Sequence, residues 1–470
     1  MSPLSLFRKF SKLLTVVIEK ASIVDGSGVG RFTTDLALSG ERIARIGDCS
    51  GLEAQHRIDG RALVLAPGFI NVHAHSGQRC FDARSSASSS AQGITTAIEG
   101  ACARTLPLEQ ASSLRGSLAL NLALLAPPEP EALERGAVGA SIALDRSDPA
   151  AILAALGRRR GGELPLVVHL RNEGAALLES LDEALALAGS LDLPLHLSHL
   201  KFAYGRDRAI VHEALERIDR ARSRGGRITC DCYPYIATNG TLGALFPRGV
   251  AQAERSDEKA IAAMLALRLA HHDHWESISL RSVRDERSIE DLGVGIATIA
   301  ARRRLSPERT AIALLEEHGP DARLLHRCLH EDDVATILSA PFTCIGTAEG
   351  GYPFDGGDGL LLPHPRAFGA FPRTLARFVR ARATLPFEEA IRRFTSLPAA
   401  IFGLRDRGEI REGAFADLVL FDEKLISDTG SYERPAQAPR GTHSVFVNGV
   451  AVFGTAMKEH AYPGRILMGP

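Results

Sequence analysis

Short β-prone runs crowd both ends of the chain. Leu14–Ile18, Ala21–Val24, Asp35–Ser39 and Arg42–Ile46 mix apolar and polar positions and are separated by turns such as Asp25-Gly26 and Ser39-Gly40. The far end repeats the pattern with Asp417–Phe421 and Val445–Val447, the turn Asn448-Gly449, and Val450–Phe453. Asn-Gly between β-branched runs is a strong hairpin signal. These ends predict one small β-sandwich made from residues 13–66 and 405–467. Between them, apolar runs alternate with helical patterns. Gly93–Ile98, Pro165–Leu170, Leu193–Leu200 and Arg227–Tyr235 read as strands, and Leu118–Leu125 as a strand or a helix. Gly174–Ala188, Ile210–Ser223, Ala260–Leu269, Ser306–Glu317, Ala370–Arg382 and Pro386–Phe394 read as helical. Repeated β-then-α units predict an α/β fold, a (β/α)₈ barrel over 67–404 with its site at the C-terminal strand ends. The run Ser85–Ser90 predicts a mobile loop, and no internal repeat is visible.

At 470 residues the chain exceeds one ordinary core, which agrees with two domains. A net charge of −1 argues against a nucleic-acid or membrane-surface protein, both of which use a basic excess. The triplets Arg158–Arg160 and Arg302–Arg304 read as solvated helix faces. Seven cysteines without framework spacing suit a reducing compartment. Arg8, Lys9 and Lys12 precede an apolar run, Leu13–Ile18, that is too short for a signal core or a membrane span. The expected setting is cytoplasmic.

Candidate chemistry gathers at the predicted strand ends. Val64–Gly77 reads VLAPGFINVHAHSG, and strand alternation puts His73 and His75 on one face, where two imidazoles can chelate a divalent metal. Cys102 follows the predicted second strand, where a thiolate can ligate zinc or a thiol can simply be buried. HLRNEG, starting at His169, marks a strand-to-helix junction. His199 and Lys201 share a face, so Lys201 is placed to hold an anion, or to snorkel at the surface. Cys230 and Cys232 flank Asp231, but no second cysteine pair completes a structural metal site. Arg366 precedes an apolar helix and either grips a carboxylate or caps a loop.

In order and spacing, these segments resemble the N-acyl-D-amino-acid deacylases (D-aminoacylases) of the amidohydrolase superfamily. The resemblance runs from about residue 13 to 467 and is carried by APGFINVHAH, QGITTAIEGAC, HLRNEG, LPLHLSHLK, CDCYPY, PHPRAFGAFPR and FADLVLFD. It implies zinc held by His73, His75, Cys102 and His199. It also implies Lys201, Tyr233 and Arg366 around the carboxylate of a small acylated amino acid, with no nucleic-acid or membrane partner. Two departures stand out. The family ends its eighth strand in Ser-Asp-Gly, with the aspartate as general base, whereas Ala348 stands there in CIGTAEGG. Glu349 is the adjacent acid, although a one-residue shift in a strand faces the other way. Asp355 and Asp358 lie further along. The family can also supply another histidine near the sixth strand, where this chain offers Thr229, Cys230 or Cys232. The implied activity is zinc-dependent hydrolysis of an N-acyl amino acid, with Glu349 the catalytic candidate. Other metal-assisted chemistry and a non-catalytic binding homologue are the alternatives.

Overall fold

The computed structural model describes residues 14–77, 79, 84–105, 116–157, 161–204, 207–246, 275–355, 359–454 and 461–469. The N-terminal tail, Arg158–Arg160, Ala260–Leu269 and Asp358 lie outside them.

Both chain ends enter one mixed eight-stranded sheet. Leu14–Ile23 runs antiparallel to Phe32–Ser39 and parallel to Ala54–Asp59 and Val64–Pro67. Val64–Pro67 then pairs antiparallel with Leu418–Phe421, which continues into the hairpin Thr442–Val447 and Val450–Gly454. The hairpin turn places Asn448 at φ 47° and Gly449 at φ 78°, the left-handed pair that a type I′ turn needs. Ile18, Leu36, Leu38, Leu418 and Phe446 pack one apolar face. The two ends also lock at the rim, where Ile43 N–H donates to Ala414 O at 3.0 Å and Gly413 N–H to Ile43 O at 2.8 Å.

The eight strands of the barrel are Phe69–Ala74, Ile94–Glu99, Asn121–Leu124, Ala140–Ala143, Leu166–His169, Leu195–Leu197, Ile228–Cys232 and Thr343–Ile345. All pair in parallel. A bridge from Ala126 to Ala140 joins the third to the fourth, and one from Ala74 to Glu349 closes the ring. Gly68 is the joint between sheet and barrel: a Cβ there would lie 2.2 Å from Thr95, so only glycine lets the first two barrel strands approach. Behind the barrel, Leu177–Leu191 buries Leu177, Leu181, Ala184, Ala188 and Leu191, spaced along one helical stripe. Each buried leucine of that stripe contributes about 1.5–3 kcal/mol.

Three features differ from the expectation. Leu118–Leu125 resolves as the strand Asn121–Leu124, and the unpredicted strand Ala140–Ala143 is the fourth stave. The serine run is not a loop: Ala87–Ala91 is a helix with Ser88 and Ser90 buried, and Ser88 Oγ accepts the Tyr352 N–H at 3.0 Å. Between the seventh and eighth staves stands an inserted three-stranded antiparallel sheet, Ala237–Thr241, Ile278–Leu280 and Arg323–Arg327. It has its own core with the helices Ile296–Arg303 and Pro307–His318.

Candidate metal centre and active-site pocket

The C-terminal strand ends deliver the site. His73 is the penultimate residue of the first stave, His75 and Cys102 follow the first and second, His169 ends the fifth, and His199 follows the sixth. Their donor atoms form two triads that share one sulfur. Cys102 Sγ lies 3.4 Å from His169 Nδ1 and 3.3 Å from His199 Nε2, and these two nitrogens are 3.0 Å apart. On the other side it lies 3.4 Å from His73 Nε2, which is 3.1 Å from His75 Nε2. Ligands about 2.0–2.3 Å from one tetrahedral zinc stand about 3.3–3.6 Å from each other; both sulfur–nitrogen distances of the first triad match, and its two nitrogens stand somewhat closer, at 3.0 Å. Its N₂S chemistry is that of a catalytic zinc site with a position left for solvent.

The ligand set read from the sequence omits His169. Its signal was present, since a histidine at a stave's last position points into the barrel mouth just as His73 does. The three residues weighed for a missing histidine do not fill that role. Thr229 Oγ1 sits 2.9 Å from His196 Nδ1, Cys230 Sγ contacts Thr343, and Cys232 Sγ donates to Tyr233 O. Burial raises the pKa of both thiols.

Carboxylates orient the imidazoles from below. Asp231, fully buried, takes His73 Nδ1–H at 3.1 Å and His196 Nε2–H at 3.2 Å on the same oxygen. A carboxylate only accepts, so the proton sits on His73 Nδ1 and Nε2 faces the donors. Burial opposes the charge of Asp231, but His73 and His196 hold its pKa well below the carboxylate range. Without a metal, burial lowers the His73 pKa but Asp231 and Cys102 carry it up to about 10. Among the described residues His75 has no carboxylate partner, and burial, only partly offset by Cys102, takes it down to about 4. Burial likewise disfavours the Cys102 thiolate, yet His199 and His73 bring its pKa well below the ordinary value. Glu173 repeats the arrangement at His199, whose Nδ1 it meets at 2.8 Å.

The backbone is held in costly conformations at the same place. Cys102, Ala103, His199 and Ala348 have φ of 55°, 55°, 36° and 47°, in the left-handed region that non-glycine residues avoid. Strain of this kind clusters at functional sites.

Arg366 and Tyr233 line the same cavity, which encloses about 660 Å³. The Arg366 guanidinium lies 4.4 Å from the Tyr233 ring centroid and donates through Nη2 to Ala348 O at 2.9 Å. Among the described residues Arg366 Nε and Tyr233 Oη are buried without a hydrogen-bond partner, a pair of orphaned donors in a pocket wall. Lys201 is present but engaged: its Nζ reaches Glu173 Oε1 at 2.5 Å and His199 Nδ1 at 2.9 Å.

Ala348 and Glu349 both line the cavity. The expectation that neighbours face opposite ways fails because the eighth stave ends at Ile345 and Ala348 is left-handed, so strand alternation no longer applies. Gly350 and Gly351 serve close packing rather than this turn: a Cβ on either would strike the backbone of Ser76 or Ser85. Glu349 is buried, with Asn239 donating to Oε1, Tyr352 Oη to Oε2 at 3.2 Å, and Arg366 Nη2 3.5 Å from Oε1. Asp355 points elsewhere, exposed and paired with Arg84.

Comparisons with known proteins agree with this geometry. The pattern of the Amidohydrolase family matches residues 216–453. The chain is 31% identical to an N-acyl-D-glutamate deacylase of Alcaligenes xylosoxydans xylosoxydans, over 97% of this chain and 96% of the relative. It is 30% identical to a D-aminoacylase of the same organism, over 97% and 98%. Among solved structures it superposes at a TM-score of 0.80 and 25% identity on the N-acyl-D-glutamate deacylase of Bordetella bronchiseptica, covering 97% of this chain and 100% of that one. That protein is complexed with zinc and a phosphonate mimic of the tetrahedral intermediate. A D-aminoacylase matches at 0.78 and 26%, with the same coverage.

Proposed function

The chain belongs to the amidohydrolase family, and we propose that it is a zinc-dependent deacylase of N-acyl amino acids, with N-acyl-D-amino acids as the preferred class. It is a metal-dependent amide-bond hydrolase acting on a small molecule. The observation that carries the finer reading is the union, in one cavity, of the Cys102–His169–His199 triad with the orphaned donors of Tyr233 and Arg366. A substrate with a free carboxylate satisfies both donors while its amide reaches the triad.

The chemistry that zinc supplies when bound is acidification of a water and polarisation of the amide carbonyl. Everything else falls to the chain. Cys102, His169 and His199 would hold the ion, and His73 and His75 would take a second one or lie against the first. Asp231 and Glu173 keep the ring protons on His73 Nδ1 and His199 Nδ1, so each Nε2 stays an electron-pair donor. Tyr233 and Arg366 orient the carboxylate, while Lys201 neutralises Glu173 and adds positive field beside it. Glu349 is the proton carrier of this reading, taking a proton during attack and returning it to the leaving amine. A free Cys102 thiolate suits the reducing cytoplasm, where we place the enzyme. Among the described residues no helix is long and apolar enough to cross a membrane.

Ala348 favours a second reading. Glu349 is already engaged by Asn239, Tyr352 and Arg366, so family chemistry runs slowly and the centre serves another metal-assisted conversion of an acylated carboxylate. A panel of N-acetyl-D- and N-acetyl-L-amino acids and their carboxamides, given to zinc-loaded enzyme, separates the two. Free amino acid from the D-carboxylates but not the carboxamides supports deacylation, and release from none of them supports the second reading.

A further inference from the structure

The cavity carries far more positive charge than one carboxylate needs. Seven cationic side chains line it against two carboxylates, Glu173 and Glu349. Several are already committed. Lys201 is tied to Glu173, Arg171 to Glu183 at 2.9 Å, and Arg79 lies over the Tyr352 ring at 4.2 Å. Arg366 and Tyr233 form the pole beside Glu349. Arg104 and Arg323 remain. Among the described residues no carboxylate lies within ion-pair distance of either.

These two arginines come from different parts of the fold. Arg104 follows the second stave and is exposed, whereas Arg323 opens a strand of the inserted sheet and is half-buried. A third, Arg146, follows the fourth stave, donates to Cys102 O at 3.2 Å and has its acidic neighbour Asp145 at 3.4 Å. All three guanidinium-bearing residues line the same cavity. Three like charges that share a single carboxylate neighbour, Asp145, repel one another, and an anion arriving between them removes that repulsion and gains charge-assisted hydrogen bonds. The insert also brings Asn239 onto Glu349, so the same sheet shapes both the catalytic wall and this cationic wall.

We propose that Arg104, Arg146 and Arg323 form a second anion subsite, and that the substrate carries two anionic groups: the carboxylate at Tyr233 and Arg366, and another at this triad. The proposal rests on the deacylase reading for the place of the first carboxylate. The second anion belongs either to the amino acid's side chain or to the far end of the acyl group, and both present the same chemistry to the arginines.

Two substrate pairs distinguish the sources. N-acetyl-D-glutamate against N-acetyl-D-glutamine tests the side chain, and N-succinyl-D-alanine against N-butyryl-D-alanine tests the acyl end. Each is assayed with zinc-loaded enzyme for kcat/KM and, in the same solutions, for the shift in melting temperature. Charge pairing with the half-buried Arg323 and its neighbours predicts a ratio of about tenfold for the dianion in one arm. Arg104→Gln and Arg323→Gln each reduce that ratio several-fold, and raising the salt lowers it in the unmodified enzyme. Ratios near one in both arms overturn the subsite, as does a ratio that both variants and high salt leave intact. If a variant fails to fold, the other and the salt series decide. If no amide is cleaved, the deacylase reading falls while the melting shifts still judge the subsite: stabilisation by dianions over their monoanion partners upholds it, and equal shifts overturn it.

Discussion

Cys102 is the one donor common to both triads, so its removal is the sharpest perturbation of the proposed centre. Cys102→Ala leaves His169 Nδ1 and His199 Nε2, 3.0 Å apart, on one side and the His73–His75 pair on the other. Neither pair alone makes a three-ligand site. Structural zinc in small peptides binds with about 10–16 kcal/mol shared among four ligands, or about 2.5–4 kcal/mol each. Losing one ligand therefore weakens binding by about 10²–10³-fold. The chain itself should survive. The side chain lost is small, and the left-handed backbone at φ 55° costs alanine no more than cysteine. The assay is zinc per chain after equilibration with a graded series of chelator concentrations, with thermal melting of the metal-free protein as the fold control. The expected result is a zinc-release midpoint moved down by two to three decades and a nearly unchanged apo melting point. A variant that folds and keeps its zinc at the unmodified enzyme's midpoint refutes Cys102 as a ligand and, with it, the shared-sulfur geometry.

Three further outcomes follow from the same contacts. Asp231→Asn leaves His73 without its anionic acceptor and should lower metal affinity about 10–100-fold, read by the same chelator competition; unchanged affinity in a folded variant would mean that His73 takes no part in metal binding. Arg366→Ala should cost about 2–5 kcal/mol in kcat/KM if its pairing with the substrate carboxylate is desolvated, and equal loss on a carboxamide analogue would contradict that pairing. Glu349→Gln should lower kcat by about 10²–10⁴-fold without loss of zinc; if instead it changes nothing while Ala348→Asp raises activity, Glu349 is not the proton carrier.

Much of the site was legible because chemistry and strand alternation coincide. His73 and His75 bracket one residue at a stave's end, and the structure brings their Nε2 atoms to 3.1 Å. Leu14–Ile18 and Asp417–Phe421 read as strands from their apolar runs, and both enter one sheet, the first beside Ala54–Asp59 and the second beside Val64–Pro67. Other parts gave weaker signals. Ala140–Ala143, with the sequence ASIA, is four residues without clear periodicity, too short to stand out from its surroundings. Ala237–Thr241, with the sequence ATNGT, lacks the apolar alternation of a strand and is held by pairing with Arg323–Arg327. The serine run has loop composition, yet tertiary contacts from Tyr352 and the Ser88 carbonyl's bond from Gln92 Nε2 at 3.1 Å fix it as helix. Glu349 escaped the period-two rule because the strand ends at Ile345 and the left-handed residue Ala348 turns the chain just before it. The carboxylates below the histidines, Asp231 and Glu173, stood in quoted motifs, but their partners lie on other staves, and only the closed barrel brings them together.

The central claim is that this chain cleaves the amide of an N-acyl amino acid with a metal held by Cys102, His169 and His199. The most direct measurement titrates zinc into metal-free protein and follows free amine released from N-acetyl-D-glutamate and N-acetyl-D-methionine at each zinc-to-chain ratio. The account predicts no release from the apo protein and release that rises in proportion to zinc until the triad is filled, from at least one of the two substrates. Stoichiometric zinc binding with no free amine from either, or equal amine release with and without zinc, would contradict it.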